Sequence, residues 1–416
     1  MVPTRVVQSS RTRNSRIWIA TFLALVAALS MEPAWLLARS NAPYAIGDWL
    51  INYSGGFVRR GLPGEIILLL HRLSHLPLAW VAYGIQVLIF ICFLVGVYKL
   101  IAGLRLNLWT AAAFFSPATL SFFPLNRTMG YRKEILLYAG LTLILLLLRS
   151  ARLRDWQLSG ALTVILGGLV LSHEASLVCF PYFVAAVVAS RKTLSAAVRI
   201  FAVPAAVSAI ALAAVMLHPG TRQTAQSICS SIGGTLNAKV EATDVPGVCN
   251  GSILWLQAPI TEYRELTLPH IHQPGIIPRF SFLALLTFIP GFAALAVLYR
   301  RNQLRREAAV VSLCAIVAIS GSSYLFPNGM DWGRWINMQA VCLMLLVLFL
   351  AGATEARTSA ESERQPTPYR WRRILASIGL ALYATCWTLP MVSEWQISGG
   401  YLAFAAHAGA RFIYRH

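Results

Sequence analysis

One constraint recurs along most of this chain: apolar stretches of about 18 to 22 residues follow one another, separated by short basic or turn-rich connections. A stretch of that length can satisfy its backbone polar groups in a bilayer only as a helix or as part of a closed barrel. Barrel strands alternate in apolar segments of about ten residues, whereas these runs are continuous. Hydrophobic residues make up 57% of the 416 positions and charged residues 12%, against about 25% charged in an average soluble protein. The expected fold is therefore all-α, a polytopic transmembrane helical bundle of about eleven spans with short or re-entrant helices on the outside face.

The candidate spans are Ile17–Ala38, Leu78–Ala102, Leu108–Leu125, Ile135–Leu148, Leu158–Ser172, Ala175–Ser190, Val198–Leu217, Phe280–Tyr299, Ala308–Phe326, Ile336–Gly352 and Ile374–Pro390. Arg5, Arg11, Arg13 and Arg16 precede the first span, which reads as a retained signal anchor with its N-terminus inside. Alternating from there places 21 of the 35 Lys and Arg inside and leaves 14 outside. The short inside loops are almost purely basic, as the positive-inside rule requires. The net charge of +19 thus serves topology, and no nucleic-acid module accompanies it. The expected location is the cytoplasmic (inner) membrane of a bacterium.

The expected division is a basic cytoplasmic N-terminus (1–16), an N-terminal membrane module (17–217) with a first outside loop (39–77), a large outside loop (218–279), a C-terminal membrane module (280–390) and an outside tail (391–416). The spans on either side of Ser172-His173-Glu174 are short and are expected to meet there in a turn below the membrane surface; the chain between Leu108 and Leu148 is expected to turn at residues 126–134. The large loop holds Cys229 and Cys249, a candidate disulfide on an oxidising side.

Four loops then bring unusual polar residues to the same outside face. The first reads DWLINYSGGFVRRGLPGE, from Asp48 to Glu65. Asp48 is a candidate general base, and Trp49 and Tyr53 are candidate platforms for a sugar ring or anchors at the interface. Arg59 and Arg60 point in different directions, so one can clamp a phosphate while the other pairs with a carboxylate or a lipid headgroup. Gly55, Gly56, Gly61 and Gly64 allow sharp turns. Leu62–Leu76, with His71, Arg72 and His75, is amphipathic and suited to lying along the interface.

The second loop carries Arg127, Arg132, Lys133 and Glu134, able to complete a phosphate site or to hold a re-entrant turn. His173-Glu174 is either an acid/base pair or a polar latch between helices. Asp331-Trp332-Gly333-Arg334 adds a second carboxylate, an aromatic platform and an arginine, or else an internal Asp to Arg ion pair. Glu32 is expected to face the same cavity. Ionisable groups near membrane depth cost about 2.5 to 3.5 kcal/mol each at a helix centre and so mark functional cavities.

Asp48 in the first outside loop, followed by the interfacial stretch Leu62–Leu76, resembles the layout of polytopic GT-C-type glycosyltransferases that use polyprenyl-phosphate sugars. The resemblance implies a lipid-linked sugar donor, a saccharide or glycolipid acceptor and an extracytoplasmic active site, in cell-surface polysaccharide or glycolipid synthesis. Asp48, Asp331 and Glu174 are then the candidate catalytic acids. Arg59, Arg60, Arg127, Arg132, Lys133, Arg334 and His173 would bind the substrate, with Trp49, Tyr53 and Trp332 against sugar. The first loop carries no Asp-x-Asp or Glu-x-Asp pair, which leaves use of a divalent metal open and names no metal ligand. The large loop, with Arg222, Arg264 and Arg279, is similar to that of polysaccharide polymerases and O-antigen ligases, an alternative within the same chemistry. A non-enzymatic transporter of lipid-linked saccharide is the second alternative; such proteins place charges near the midplane and show internal repeats.

Overall fold

The computed structural model describes residues 5–104, 106–126, 130–150, 153–191, 193–236, 247–300, 304–358, 370–392 and 400–402. Among them every regular element is helical: α1 (Arg5–Arg39), α2 (Leu62–Ser74), α3 (Leu78–Ile101), α4 (Leu108–Phe115), α5 (Phe122–Leu125), α6 (Glu134–Arg149), α7 (Asp155–Ser172), α8 (Phe180–Ser190), α9 (Leu194–Leu217), α10 (Arg222–Ser231), α11 (Ile260–Ile271), α12 (Ile276–Arg300), α13 (Arg305–Ser322), α14 (Trp332–Thr358) and α15 (Arg370–Thr385), with short 3-10 turns between some of them. Seven of these elements, α1, α3, α7, α9, α12, α13 and α14, contain stretches long and apolar enough to cross a membrane.

The other expected spans are shorter, for local reasons. Leu108–Leu125 is not one helix. Asn107 caps α4 by accepting from the Thr110 N–H at 2.9 Å, and Pro117 then forces Ser116 out of helical geometry. Helix resumes only at Phe122. At 16 residues, α6 spans about 24 Å. The turn expected between α7 and α8 is present: His173 is extended, and a 3-10 turn, Glu174–Cys179, leads into α8.

The centre of the bundle is α14. Its membrane-length part, Trp332–Ala353, is 83% buried, and it packs against α3, α4, α6, α8, α12 and α13. A helix apolar all round belongs in such a position. Its few polar side chains are spent on neighbours. Asn337 accepts from the Tyr138 hydroxyl at 2.7 Å and donates to the carbonyls of Ala118 (2.8 Å) and Thr119 (3.2 Å). Those carbonyls belong to the gap between α4 and α5, so the interruption is buried in protein and supplied with partners. Gln339 donates to the Ser322 hydroxyl at 2.6 Å.

The two ends of the bundle differ in chemistry. At one end Arg149 donates to the Leu100 carbonyl at 2.8 Å and fills the space beside Gly352, and Arg191 lies 3.3 Å from Asp155. At the other end residues 40–61 form a joint cap with residues 218–236 and 247–259. The Cys229–Cys249 disulfide is present, and it is buried with Ile228, Ile253 and Leu256 against Ile51 and Val58 of the first loop. Ser252 donates its N–H to the Pro43 carbonyl at 3.2 Å, Trp255 donates its indole N–H to the Tyr44 hydroxyl at 3.2 Å, and Arg59 donates its N–H to the His218 carbonyl at 3.2 Å. The large loop therefore braces the first.

Candidate functional site

Beneath this cap the polar loops meet. Lys133, at the turn into α6, is fully buried and donates its ammonium to the Arg60 carbonyl at 2.7 Å. That carbonyl is presented by a left-handed residue, since Arg60 has φ +66°, a geometry uncommon outside glycine. The Arg60 side chain then reaches Glu174: its Nε lies 2.9 Å from both carboxylate oxygens and its Nη2 2.5 Å from Oε1. Arg59 stands farther off, at 3.7 Å from the same carboxylate. Gly61 and Gly64 make the loop's return to α2 feasible, because a Cβ would strike the Tyr53 ring at one and the Ile51 carbonyl at the other.

Asp48 is also fully buried. Its carboxylate faces Arg132 Nε at 3.7 Å and Lys133 Nζ at 3.9 Å, distances of attraction without hydrogen bonding. Neither Asp48 oxygen receives a protein hydrogen bond, and Arg132 Nε gives none. Both His173 ring nitrogens are likewise buried and unbonded, Nε2 lying 3.5 Å from Glu134 Oε1. Glu134 itself accepts from Arg334 at 2.5 and 3.1 Å, and Arg334 holds Asp331 at 2.7 Å. So five cationic groups, Arg59, Arg60, Arg132, Lys133 and Arg334, interleave with four carboxylates, Asp48, Glu134, Glu174 and Asp331.

Burial acts first on each titrating group. It pushes the Asp48 carboxyl up, but Lys133, Arg132 and Arg60 outweigh it and hold the group below the ordinary carboxylate range. Burial lowers Lys133 to about 8, with Asp48 opposing. Burial lowers His173 to about 4, against the pull of Glu134. At neutral pH the imidazole is therefore neutral and the Asp48 carboxylate ionised.

Several expected site residues take other roles. Trp49 is 1% exposed and donates its indole N–H to the Tyr131 carbonyl at 3.0 Å, so it supports the loop from inside and offers no open platform. Tyr53 stacks on Phe57 at 5.3 Å. Trp332 is buried, donates to the Phe326 carbonyl at 2.8 Å and meets Phe280 and Phe326 edge-on. Asp331 and Arg334 form the internal ion pair that their spacing allowed. Arg132 and Lys133 face Asp48 across the chain, while Glu134 turns to Arg334. Glu32 is exposed on α1, and Arg127 lies outside the described residues.

Three contributors had no place in the sequence reading. Tyr44 lies beneath the Arg132 guanidinium, 5.9 Å from ring centre. Tyr263 of α11 bonds the Trp255 carbonyl at 2.7 Å and lies beside Arg59 and Arg60. Asn337 ties α6 and α14 to the α4–α5 gap, and an amide inside an apolar run was its available signal.

No family model, curated protein or solved structure matches this chain.

Glu174, Glu134 and Asp331 each accept from an arginine and are structural clamps that aim it. Within the cluster, Asp48, Arg59 Nε, Arg132 Nε and His173 carry the unspent hydrogen-bonding capacity, and they come from three separate segments. Buried polar atoms without partners carry a desolvation cost of about 1 to 3 kcal/mol each, and each calls for an explanation such as a catalytic role or a bound water or ion. Among the described residues no group of three or more His, Cys, Asp and Glu side chains is arranged to hold a metal ion.

Proposed function

We propose that this chain is an integral membrane glycosyltransferase, moving a sugar from a polyprenyl-phosphate-linked donor to a saccharide or lipid acceptor on the extracytoplasmic face. The observation that carries this reading is the buried Asp48 carboxylate, free of hydrogen bonds, opposite Arg132 and Lys133 at one end of a membrane bundle.

Asp48 accepts the proton of the acceptor hydroxyl. The acceptor oxygen bonds the anomeric carbon while the bond from that carbon to the phosphate oxygen breaks, its electron pair staying on the phosphate. Arg132 and Lys133 neutralise the charge that grows there. A carboxylate held strongly ionised is a weak base. Phosphate drawn towards Arg132 and Lys133 competes for the same cations, and so restores basicity to Asp48 when donor is present. Glu174 and Asp331 are less suited as bases because Arg60 occupies both Glu174 oxygens and Arg334 holds one oxygen of Asp331. The cluster's position at one end of the bundle favours transfer over passage of a lipid-linked saccharide, which calls for charges near the midplane.

The test is transfer of radiolabelled sugar from native lipid-linked pools in membranes carrying wild type, Asp48→Asn or Arg132→Gln at matched expression. Asp48→Asn is expected to lower transfer by about a hundredfold or more. Retention of wild-type transfer in that variant would remove the basis of the proposal.

A further inference from the structure

Beside the cap, α2 presents a second kind of surface. Pro63, Gly64, Ile67 and Leu68 are buried, where the helix packs on α3 and α7. Ile66, Leu69, Leu70 and Leu73 form the opposite face at helical spacing, and all four are exposed, Leu73 by 71%. A stripe of that kind facing water would be unfavourable by about 25 cal/mol for each Å² of apolar surface. It sits between the end of α1 and the start of α3, where two spans leave the membrane. Trp35 near the end of α1 and Trp80 at the start of α3 are also exposed, and such aromatic side chains are enriched at bilayer boundaries. Such a stripe suits contact with lipid.

Behind it is a cavity of about 570 Å³ whose lining includes Arg39, Asn41, His71, Trp80, Ser231 and Gly233. Arg39 lies over the Trp35 ring, 5.4 Å from its centre, and has no ion pair among the described residues. His71 Nδ1 donates to the Leu76 carbonyl at 2.6 Å, which leaves the other ring nitrogen to a ligand. Asn41 adds an amide, while the Ser231 hydroxyl is held by the protein, donating to the Ile228 carbonyl at 2.6 Å and accepting from Asn52 at 3.1 Å. A cation, neutral polar groups and an aromatic wall at the lipid boundary match one occupant: a phosphodiester carrying a hydroxylated headgroup, its acyl chains continuing along the apolar face of α2.

We propose that this cavity binds the headgroup of an anionic phospholipid, with Arg39 on the phosphate and His71 and Asn41 on the headgroup hydroxyls. The site is separate from Asp48, and it stands whether or not the chain transfers sugar.

Native mass spectrometry of the full-length protein in dodecylmaltoside, with equal added phosphatidylglycerol and phosphatidylcholine, tests it. A cation at a membrane surface is worth about a fivefold preference for the anionic lipid. Wild type is expected to show that preference, and Arg39→Gln to lose it. Arg305→Gln at the other end of the bundle, where the guanidinium contacts Tyr299, should keep it. Arg39 is exposed, so its variant should unfold at the wild-type temperature, and a thermal scan checks this. His71→Ala gives a second measurement, with an intermediate loss. Equal binding of both lipids by wild type, or undiminished preference in Arg39→Gln, would overturn the assignment. Complete displacement of phosphatidylglycerol by millimolar inorganic phosphate would also overturn it, since the site would then read free anions.

Discussion

Replacing Glu134 by Gln tests the site's architecture without any assay of chemistry. The substitution keeps an oxygen where Arg334 donates at 2.5 and 3.1 Å, but removes the charge. The two side chains are only 4% and 6% exposed, so water screens little of the loss. Asp331 stays with Arg334 but is 27% exposed and so the weaker partner. Breaking a buried pair from one side costs about 3 to 5 kcal/mol, because the surviving charge is stranded. Since Gln still accepts, the lower end, about 3 kcal/mol, is the expected loss in reversible unfolding in mixed micelles titrated with a denaturing detergent. Removing both charges strands neither, so Glu134→Gln with Arg334→Met should return to within about 1 kcal/mol of wild type. Asp331 can meet solvent and does not change that expectation. A Glu134→Gln loss below about 0.5 kcal/mol, or costs that simply add in the double variant, would refute the buried-pair argument.

Lys133 binds fewer protons when folded than when unfolded between its folded value of about 8 and the ordinary lysine value near 10.4. Wild-type stability should therefore rise with pH by about 3 kcal/mol across that window, and Lys133→Met should lack the rise, as unfolding curves at stepped pH will show. Gly64→Ala drives a methyl into the Ile51 carbonyl and should destabilise the first loop by more than the gain of about 1 kcal/mol that alanine brings to a helix; limited proteolysis between residues 48 and 61 is the readout. Asn337→Leu leaves the Tyr138 hydroxyl and two carbonyls without their partner, and a loss of about 2 to 4 kcal/mol is expected in the same micelle unfolding assay.

Much of this arrangement is visible in the chain before folding. Long apolar runs force helices, the basic short loops mark one end, and His173-Glu174 between two short apolar runs announces a break. The pairing of Cys229 with Cys249 follows from their sharing one loop. The partners of the charged groups do not follow. Arg60 meets Glu174 across 114 residues and Arg334 meets Glu134 across 200, and no local pattern encodes such meetings. Trp49 shows the same limit from the other side. Its neighbours Asp48 and Tyr53 suggest an open loop, but burial is decided by Tyr131, which arrives from another element. The interruption after α4 was readable, since Ser116-Pro117 sits inside the run taken for a span.

The position of α14 has a consequence for how the protein is made. This helix fills the middle of the bundle, yet among the described residues only α15 and the helical residues 400–402 follow it. Glu134, Tyr138 and the carbonyls of Ala118 and Thr119 emerge about 200 residues before Arg334 and Asn337, the groups that complete them. Throughout that interval a ribosome-bound intermediate holds polar atoms in the bilayer with no native counterpart. The earlier helices must remain separable, and hydrated where they are polar, until the central one can slide between them. Assembly is then a late closure, and a nascent chain halted before Trp332 is a set of inserted helices still lacking its core.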